Sequence, residues 1–325
     1  MKRVIGALFR PQYMLIWVFL AMVVYFCLAA PSFLSALNLI RAVKSSSVVA
    51  MMVLGLTWIA ASGEIDVSFP SVAGFSSVVA ALAVENGLPW IAAAAIAITA
   101  GTFFGFVSGY LVAVFRCPSL IATIAMGSIA TGAACVVVGG YAPVRLTSTV
   151  GLVDILGSGG IVVQLIWIAI VLGVYLAFYY IQDHTTTGQH LYALGENRQA
   201  SLEAGIREKK IIISFFSLSA MLASCGGVVW VLFYAQGVPK MKGAVFIDGM
   251  TAVFLGALVI KAGKPNVIGT FVGAVFLAVL TNGLTPIGLP DYVGSMIKGA
   301  LMIFGVVIIA ISKYKVAKKA SRATR

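Results

Sequence analysis

The chain has 325 residues, of which 61% are hydrophobic and only 10% charged, and a mean hydropathy of +1.06. A water-soluble domain of that length exposes far more charge, so the composition excludes one and points to a bundle of bilayer-spanning helices. The net charge of +12 would suit nucleic acid only if the basic residues shared one face. They fall instead between apolar runs and in the tail, the pattern of cytoplasmic loops in a polytopic membrane protein.

In chain order the apolar runs lie at about 13–30, 46–62, 67–85, 88–115, 117–140, 161–181, 211–236, 248–260, 266–283 and 294–312. Roughly 17–25 apolar residues cross a bilayer as a helix, so the expectation is an all-α protein of about ten transmembrane helices. Lys2, Arg3 and Arg10 precede the first run, which is long for a signal peptide and leads into further spans, so it reads as an uncleaved first helix. The runs at 67–85 and 248–260 are the weakest. They suit tilted, broken or re-entrant segments, which a membrane tolerates where protein or a water cavity covers the backbone. With ten crossings and the N-terminus inside, 16 of the 22 Lys and Arg residues face the cytoplasm. The outer side then carries the loops at 31–45, 141–160, 237–247 and 284–293, and both termini and the polar stretch 182–210 are cytoplasmic. Residues 1–312 read as a single transmembrane domain and 313–325, KYKVAKKASRATR, as a basic cytoplasmic tail.

Cys27, Cys117, Cys135 and Cys225 sit in or beside apolar runs without a CxxC pair, and read as small buried hydrophobes with no metal or redox role. Gly101, Gly105 and Gly109 form two overlapping GxxxG steps, and Gly269 with Gly273 a third. Small residues at this spacing let helix backbones approach closely in lipid.

Enzyme chemistry has no foothold in the motifs. A phosphate-binding loop GxxxxGK[ST] is missing: Gly263-Lys264 is preceded by Leu258 where glycine is needed and followed by Pro265. There is no HExxH and no nucleophile elbow. His184 and His190 sit in the polar stretch and read as solvated. Within the apolar runs Lys298 is the one ionisable candidate, whereas a proton- or sodium-coupled carrier keeps such groups at mid-membrane.

The polar stretch QDHTTTGQHLYALGENRQASLEAGIREKK, residues 182–210, is the long hydrophilic break in the chain. Its segment Asn197–Ile206 is rich in helix formers, with Gly205 as a stop. That predicts a short helix on the cytoplasmic face, either an ordinary amphipathic surface helix or one seated in a groove of a cytoplasmic partner.

Four stretches resemble the permease subunits of bacterial ribose-type ABC importers, over about residues 35–312. Residues 63–68, GEIDVS, resemble that family's GGIDLSVGS, departing at Glu64, Phe69 and Pro70. Residues 118–123, PSLIAT, with Gly127 resemble PxFIxTLG. Residues 188–206 resemble GRxxYAxGxNxxAAxxxGI, with Gln189 and Ser201 as departures. Residues 251–269 are similar to AxxxGGxxxxGGxG, with the paired glycines reduced to Gly256-Ala257 and Ala262-Gly263. The resemblance implies a permease domain over 1–312 that moves a monosaccharide or polyol by alternating access. It implies a separate cytoplasmic ATPase that binds ATP and Mg, an external sugar-binding protein and a second permease subunit, identical or not, in a bacterial inner membrane. This chain would then hold no cofactor or metal of its own. By position, Gly188, Tyr192, Ala193, Gly195, Asn197, Ala200 and Gly205 would shape the ATPase-coupling element. Asp66, Ser68, Thr123 and Thr251 would line or gate a substrate path, although such hydroxyls equally satisfy helix backbone. Glu64 beside Asp66 adds charge repulsion at a membrane junction. The competing classes are a self-sufficient sugar carrier or facilitator and a membrane enzyme or scaffold.

Overall fold

The computed structural model describes residues 11–147, 161–241, 243–260 and 263–323. Of the residues in the charge pattern, Lys2, Arg3, Arg10, Lys242, Lys261 and Arg325 lie outside them, as does the 148–160 part of the long outer loop with Asp154. The helices are α1 (Pro11–Ala29), α2 (Ala36–Ala61), α3 (Phe69–Glu85), α4 (Trp90–Val114), α5 (Ser119–Val138), α6 (Ile161–His184), α7 (Thr186–Glu196), α8 (Arg198–Glu203), α9 (Glu208–Tyr234), α10 (Gly243–Gly256), α11 (Val267–Leu284) and α12 (Asp291–Ala323). Among the described residues seven of these, α2, α4, α5, α6, α9, α11 and α12, are long and apolar enough to cross a membrane. Three further apolar helices are shorter: the Ile16–Ala29 part of α1, all of α3, and the Val245–Gly256 part of α10.

Two expectations are corrected. Residues 31–45, expected as an outer loop, form a 3-10 turn at Pro31–Leu34 and the start of α2. Hydropathy falls there, but the helix runs on because Ser35 meets an amide of its first turn and the serine hydroxyls further along find partners on the helix itself. The Ser35 hydroxyl accepts from Asn38 N, and Ser45 and Ser46 donate back to the Ala42 and Val43 carbonyls at 3.1 Å each. The second correction is a two-residue antiparallel ribbon in a chain read as wholly helical. It pairs β1 (Val144–Arg145) with β2 (Gln236–Gly237). The basic tail is helical up to Ala323, as a continuation of α12.

The chain divides into two units. In the unit Ser47–Phe246, α9 packs along α4 and α3 at very short range. A Cβ on Gly105 would sit 2.3 Å from both the Ala220 Cβ and the Phe216 carbonyl, and one on Gly109 only 2.8 Å from the Ile213 Cα. One on Gly101 would meet the hydroxyls of Ser224 and Ser76, at 2.0 and 2.3 Å. Those hydroxyls are turned onto helix carbonyls, Ser76 to Ala97 O and Ser224 to Ala220 O, so they sit in the apolar interior without an unmet hydrogen bond. The Tyr175 hydroxyl donates to Ala50 O at 2.8 Å and ties α6 to α2. At the ribbon, Glu85 accepts from the Thr147 amide and hydroxyl, at 2.7 and 2.8 Å.

In the unit formed by Met1–Ser46 and Ile247–Arg325, α11 packs on α10 through Gly269, whose Cβ would lie 2.1 Å from Gly256 O, and Gly273, 2.2 Å from Ala252 O. Asn266 caps α11 by accepting from Gly269 N at 2.8 Å. Gly283 lies against the Phe26 ring. Lys298 pairs with Asp248 at 2.8 Å, with side chains only 7% and 17% exposed. The lysine that stood alone within an apolar run therefore has a partly buried counter-charge on α10.

Candidate functional site: two short helices joined to a polar cavity

The polar break folds as two short helices. Asn197 has an extended backbone (φ −153°, ψ 96°) that separates α7 from α8, and its side chain caps α8 by accepting from Ala200 N at 3.0 Å. The single helix expected over 197–206 is thus shorter and preceded by a second one, because an Asn that caps one helix breaks the helix before it. Gly205, with φ +82°, ends this segment, a conformation that glycine adopts without cost.

The two helices have distinct faces. Gly188, Leu191, Leu194 and Ser201 are buried. Gly188 abuts the Gln182 carbonyl and Gly195 the Ala61 carbonyl, so closely that an added Cβ would lie 1.9 and 2.1 Å away. Tyr192 and Ala193 are half-buried, and burial together with the charge of Asp183 pushes the Tyr192 phenol up in pKa, which keeps it protonated. Ala200, Leu202, Glu203 and Gly205 are exposed. The residues carried over by resemblance therefore divide. Gly188 and Gly195 seat the element on the membrane body, Asn197 and Gly205 shape it, and Ala200 faces outward.

One arginine fastens it. The Arg198 Nε donates to Glu208 Oε1 at 2.8 Å, Nη2 reaches the same oxygen, and Nη1 donates to Glu64 Oε1 at 3.1 Å. Glu208 opens α9, and Glu64 lies in the turn between α2 and α3. The hydrogen bonds to Glu208, with the Glu64 charge, hold the guanidinium pKa above its usual range against the burial that opposes it. The carboxylate whose repulsion with Asp66 needed an answer is met by this arginine. Sequence reasoning passed over both Arg198 and Glu208. The one available signal was their position, an arginine and a glutamate ten residues apart in the same polar stretch.

The turn itself is held by hydroxyls. Ile65 N donates to Ser119 Oγ at 3.1 Å and Val67 N to Thr123 Oγ1 at 3.2 Å. Asp66 accepts from Ser68 N and Oγ, at 2.8 and 2.6 Å, and from Ser219 Oγ at 3.1 Å. Asp66 and Ser68 are buried in these bonds and fix the start of α3. Thr123 is brought to the same place and also lines a cavity of about 420 Å³, with Val67, Ser71, Gly127, Thr131 and Tyr141. Lys240 lies at this cavity and over the Tyr141 ring, 6.0 Å from its centre. Thr251 belongs to the other unit, fully buried, with its hydroxyl 3.5 Å from Lys298 O. Ser71, Thr131, Tyr141 and Lys240 were not singled out in the sequence, because hydroxyls scattered over three segments show no local pattern.

Residues 38–306 match the family of permease components of branched-chain amino acid transport systems. The chain belongs to this permease family. The ribose import permease protein RbsC of Escherichia coli (strain K12) is 32% identical to the permease over 284 residues, 86% of this chain and 87% of that one. RbsC of Haemophilus influenzae is 28% identical over 298 residues, 89% and 91% of the two chains. The L-arabinose ABC transporter permease protein AraH of Azospirillum brasilense is 26% identical over 293 residues, 90% and 85%. The fold of the permease is similar to that of a metal-chelate type ABC transporter in an inward-facing conformation, with a TM-score of 0.54, 12% identity and coverage of 94% of this chain and 100% of that one. The permease is thus a multi-pass, helical membrane protein.

Proposed function

We propose that this permease is the membrane-spanning subunit of an ATP-binding-cassette importer that carries a monosaccharide or related polyol across a bacterial inner membrane by alternating access. Residues 1–312 would form one permease domain of ten crossings with both termini in the cytoplasm, and 313–325 its basic tail. ATP and Mg would be held by a separate ATPase, selection would fall to an external sugar-binding protein, and a second permease subunit, the same or different, would complete the path. The relatives, a ribose import permease and an L-arabinose ABC transporter permease, support the sugar class and favour an importer over a self-sufficient carrier.

The observation that carries this reading is the element α7–α8. It is seated on the membrane body by Gly188, Gly195 and Arg198, yet it leaves Ala200 and an apolar Leu202 uncovered at the surface. An exposed leucine on a short helix fits a groove on a soluble partner. The cavity beside Thr123 is within the size range of small-molecule sites and offers hydroxyls and an aromatic ring, groups that suit a polyol.

The test is purification of the tagged protein from native membranes in mild detergent, with the accompanying proteins identified. An ATPase that accompanies the wild type and is lost from a folded Ala200→Arg variant supports the reading. Solute movement by the protein alone in liposomes, with no ATPase ever present, would overturn it in favour of a carrier.

A further inference from the structure

We propose that Arg198 and Glu64 form a strut that makes the turn between α2 and α3, and with it the wall of the polar cavity, follow the docking element in both directions. The inference rests on the importer reading above and assigns positioning residues within it.

The geometry supplies two contacts of opposite mechanical character. Gly195 rests on the Ala61 carbonyl so closely that nothing larger than hydrogen fits between them. Such a contact transmits a push toward the body but not a pull away from it, because van der Waals repulsion rises steeply while the attraction per atom pair is small. The ion pair between Arg198 Nη1 and Glu64 Oε1 does the reverse: it resists separation. Alternating access needs both strokes, and the pair of contacts delivers them to neighbouring residues, Ala61 and Glu64. The planar guanidinium engages Glu208 with one edge and Glu64 with another, so the docking element, the start of α9 and the turn are tied through one rigid group.

From Glu64 the path to the cavity is short and has little slack. Ile65 N and Val67 N are bonded to Ser119 and Thr123 on α5, and Asp66 is fixed by Ser68 and by Ser219 on α9. Val67 and Thr123 are themselves cavity walls. A displacement at Glu64 therefore reaches the wall three residues on, with hydrogen bonds rather than loose loop between.

The strut is poorly suited to a purely stabilising role. The Arg198 side chain is 41% exposed, and the Glu64 side chain 12%. An ion pair open to water on one side contributes little to folding. Its removal should change the response to the ATPase more than the fold.

The experiment uses the permease purified with its own ATPase. A cysteine probe is placed by Ser128→Cys at Ser128, an exposed residue of α5 that also lines the cavity, in a background with the four native cysteines replaced by serine. The rate of its reaction with a water-soluble maleimide is measured with and without ATP and Mg. The expected ATP-linked change in rate is at least about fivefold with Glu64 intact. In Glu64→Ala it falls below about twofold, while the ATPase still accompanies the permease, still hydrolyses ATP, and thermal stability is unchanged. Glu64→Gln keeps an acceptor for Arg198 without the charge and gives an intermediate change; should Glu64→Ala fail to fold, Glu64→Gln alone carries the test by a clear reduction. A full ATP-linked change in both variants overturns the strut while leaving the importer reading in place. Failure of any ATPase to accompany the wild type overturns the importer reading, and the strut with it.

Discussion

Replacing Gly195 by alanine probes the seat of α7 with a single methyl group. The added Cβ would lie 2.1 Å from the Ala61 carbonyl oxygen and 3.1 Å from its carbon. A relaxed carbon–oxygen contact is about 3.3 Å or longer, so α7 has to lift by roughly 1 Å at this end. Overpacking of this kind costs about 1–3 kcal/mol. Against it stands the gain of about 0.8–1.0 kcal/mol that alanine brings over glycine inside a helix. The net effect is an α7–α8 segment held about 1 kcal/mol less firmly, equivalent to a roughly fivefold larger open population. Hydrogen exchange followed by mass spectrometry reads this directly: amides of residues 186–206 should exchange about fivefold faster, with α4 and α9 unchanged. Gly132→Ala is the control, because nothing lies within 4 Å of its Cβ. Unchanged or slower exchange in Gly195→Ala would show that α7 is not seated on Ala61, and the argument would fail.

Three further outcomes follow from the packing. Gly105→Ala forces α4 from α9 against a backbone carbonyl and should lower the thermal unfolding midpoint in detergent, by about 1–3 kcal/mol of stability, whereas Gly132→Ala should leave the midpoint unchanged or slightly raised. Leu202→Asp, on a side chain 37% exposed, should abolish co-purification of the ATPase with no shift in that midpoint. Lys298→Met leaves the Asp248 carboxylate without its partner and should cost about 3–5 kcal/mol, while Lys298→Met combined with Asp248→Leu should recover most of that loss. Equal loss in the single and double variants would show that the pair is not coupled.

What the sequence determined by itself is what depends on neighbours along the chain. Apolar runs of about twenty residues declare helices in lipid whatever they pack against, because the backbone must satisfy its own hydrogen bonds there. The polar break at 182–210, the stop at Gly205 and the common face of Gly101, Gly105 and Gly109 were legible for the same local reason, a composition change, a glycine after a run of helix formers and a period of 3.6. Even local reading missed the start of α2, since a hydropathy scan registers Asn38, Arg41 and Lys44 as a break while the helix runs on through them. Tertiary structure alone decided the partners. Arg198 meets Glu64 across 134 residues of sequence, and Lys298 meets Asp248 from another helix. It also decided which glycines bear on which carbonyl, and that Asp66 is spent on holding a turn whereas Thr123 also faces a cavity. A charge or a hydroxyl acquires its role from what lies within about 3 Å of it, and for these residues those atoms come from elsewhere in the chain.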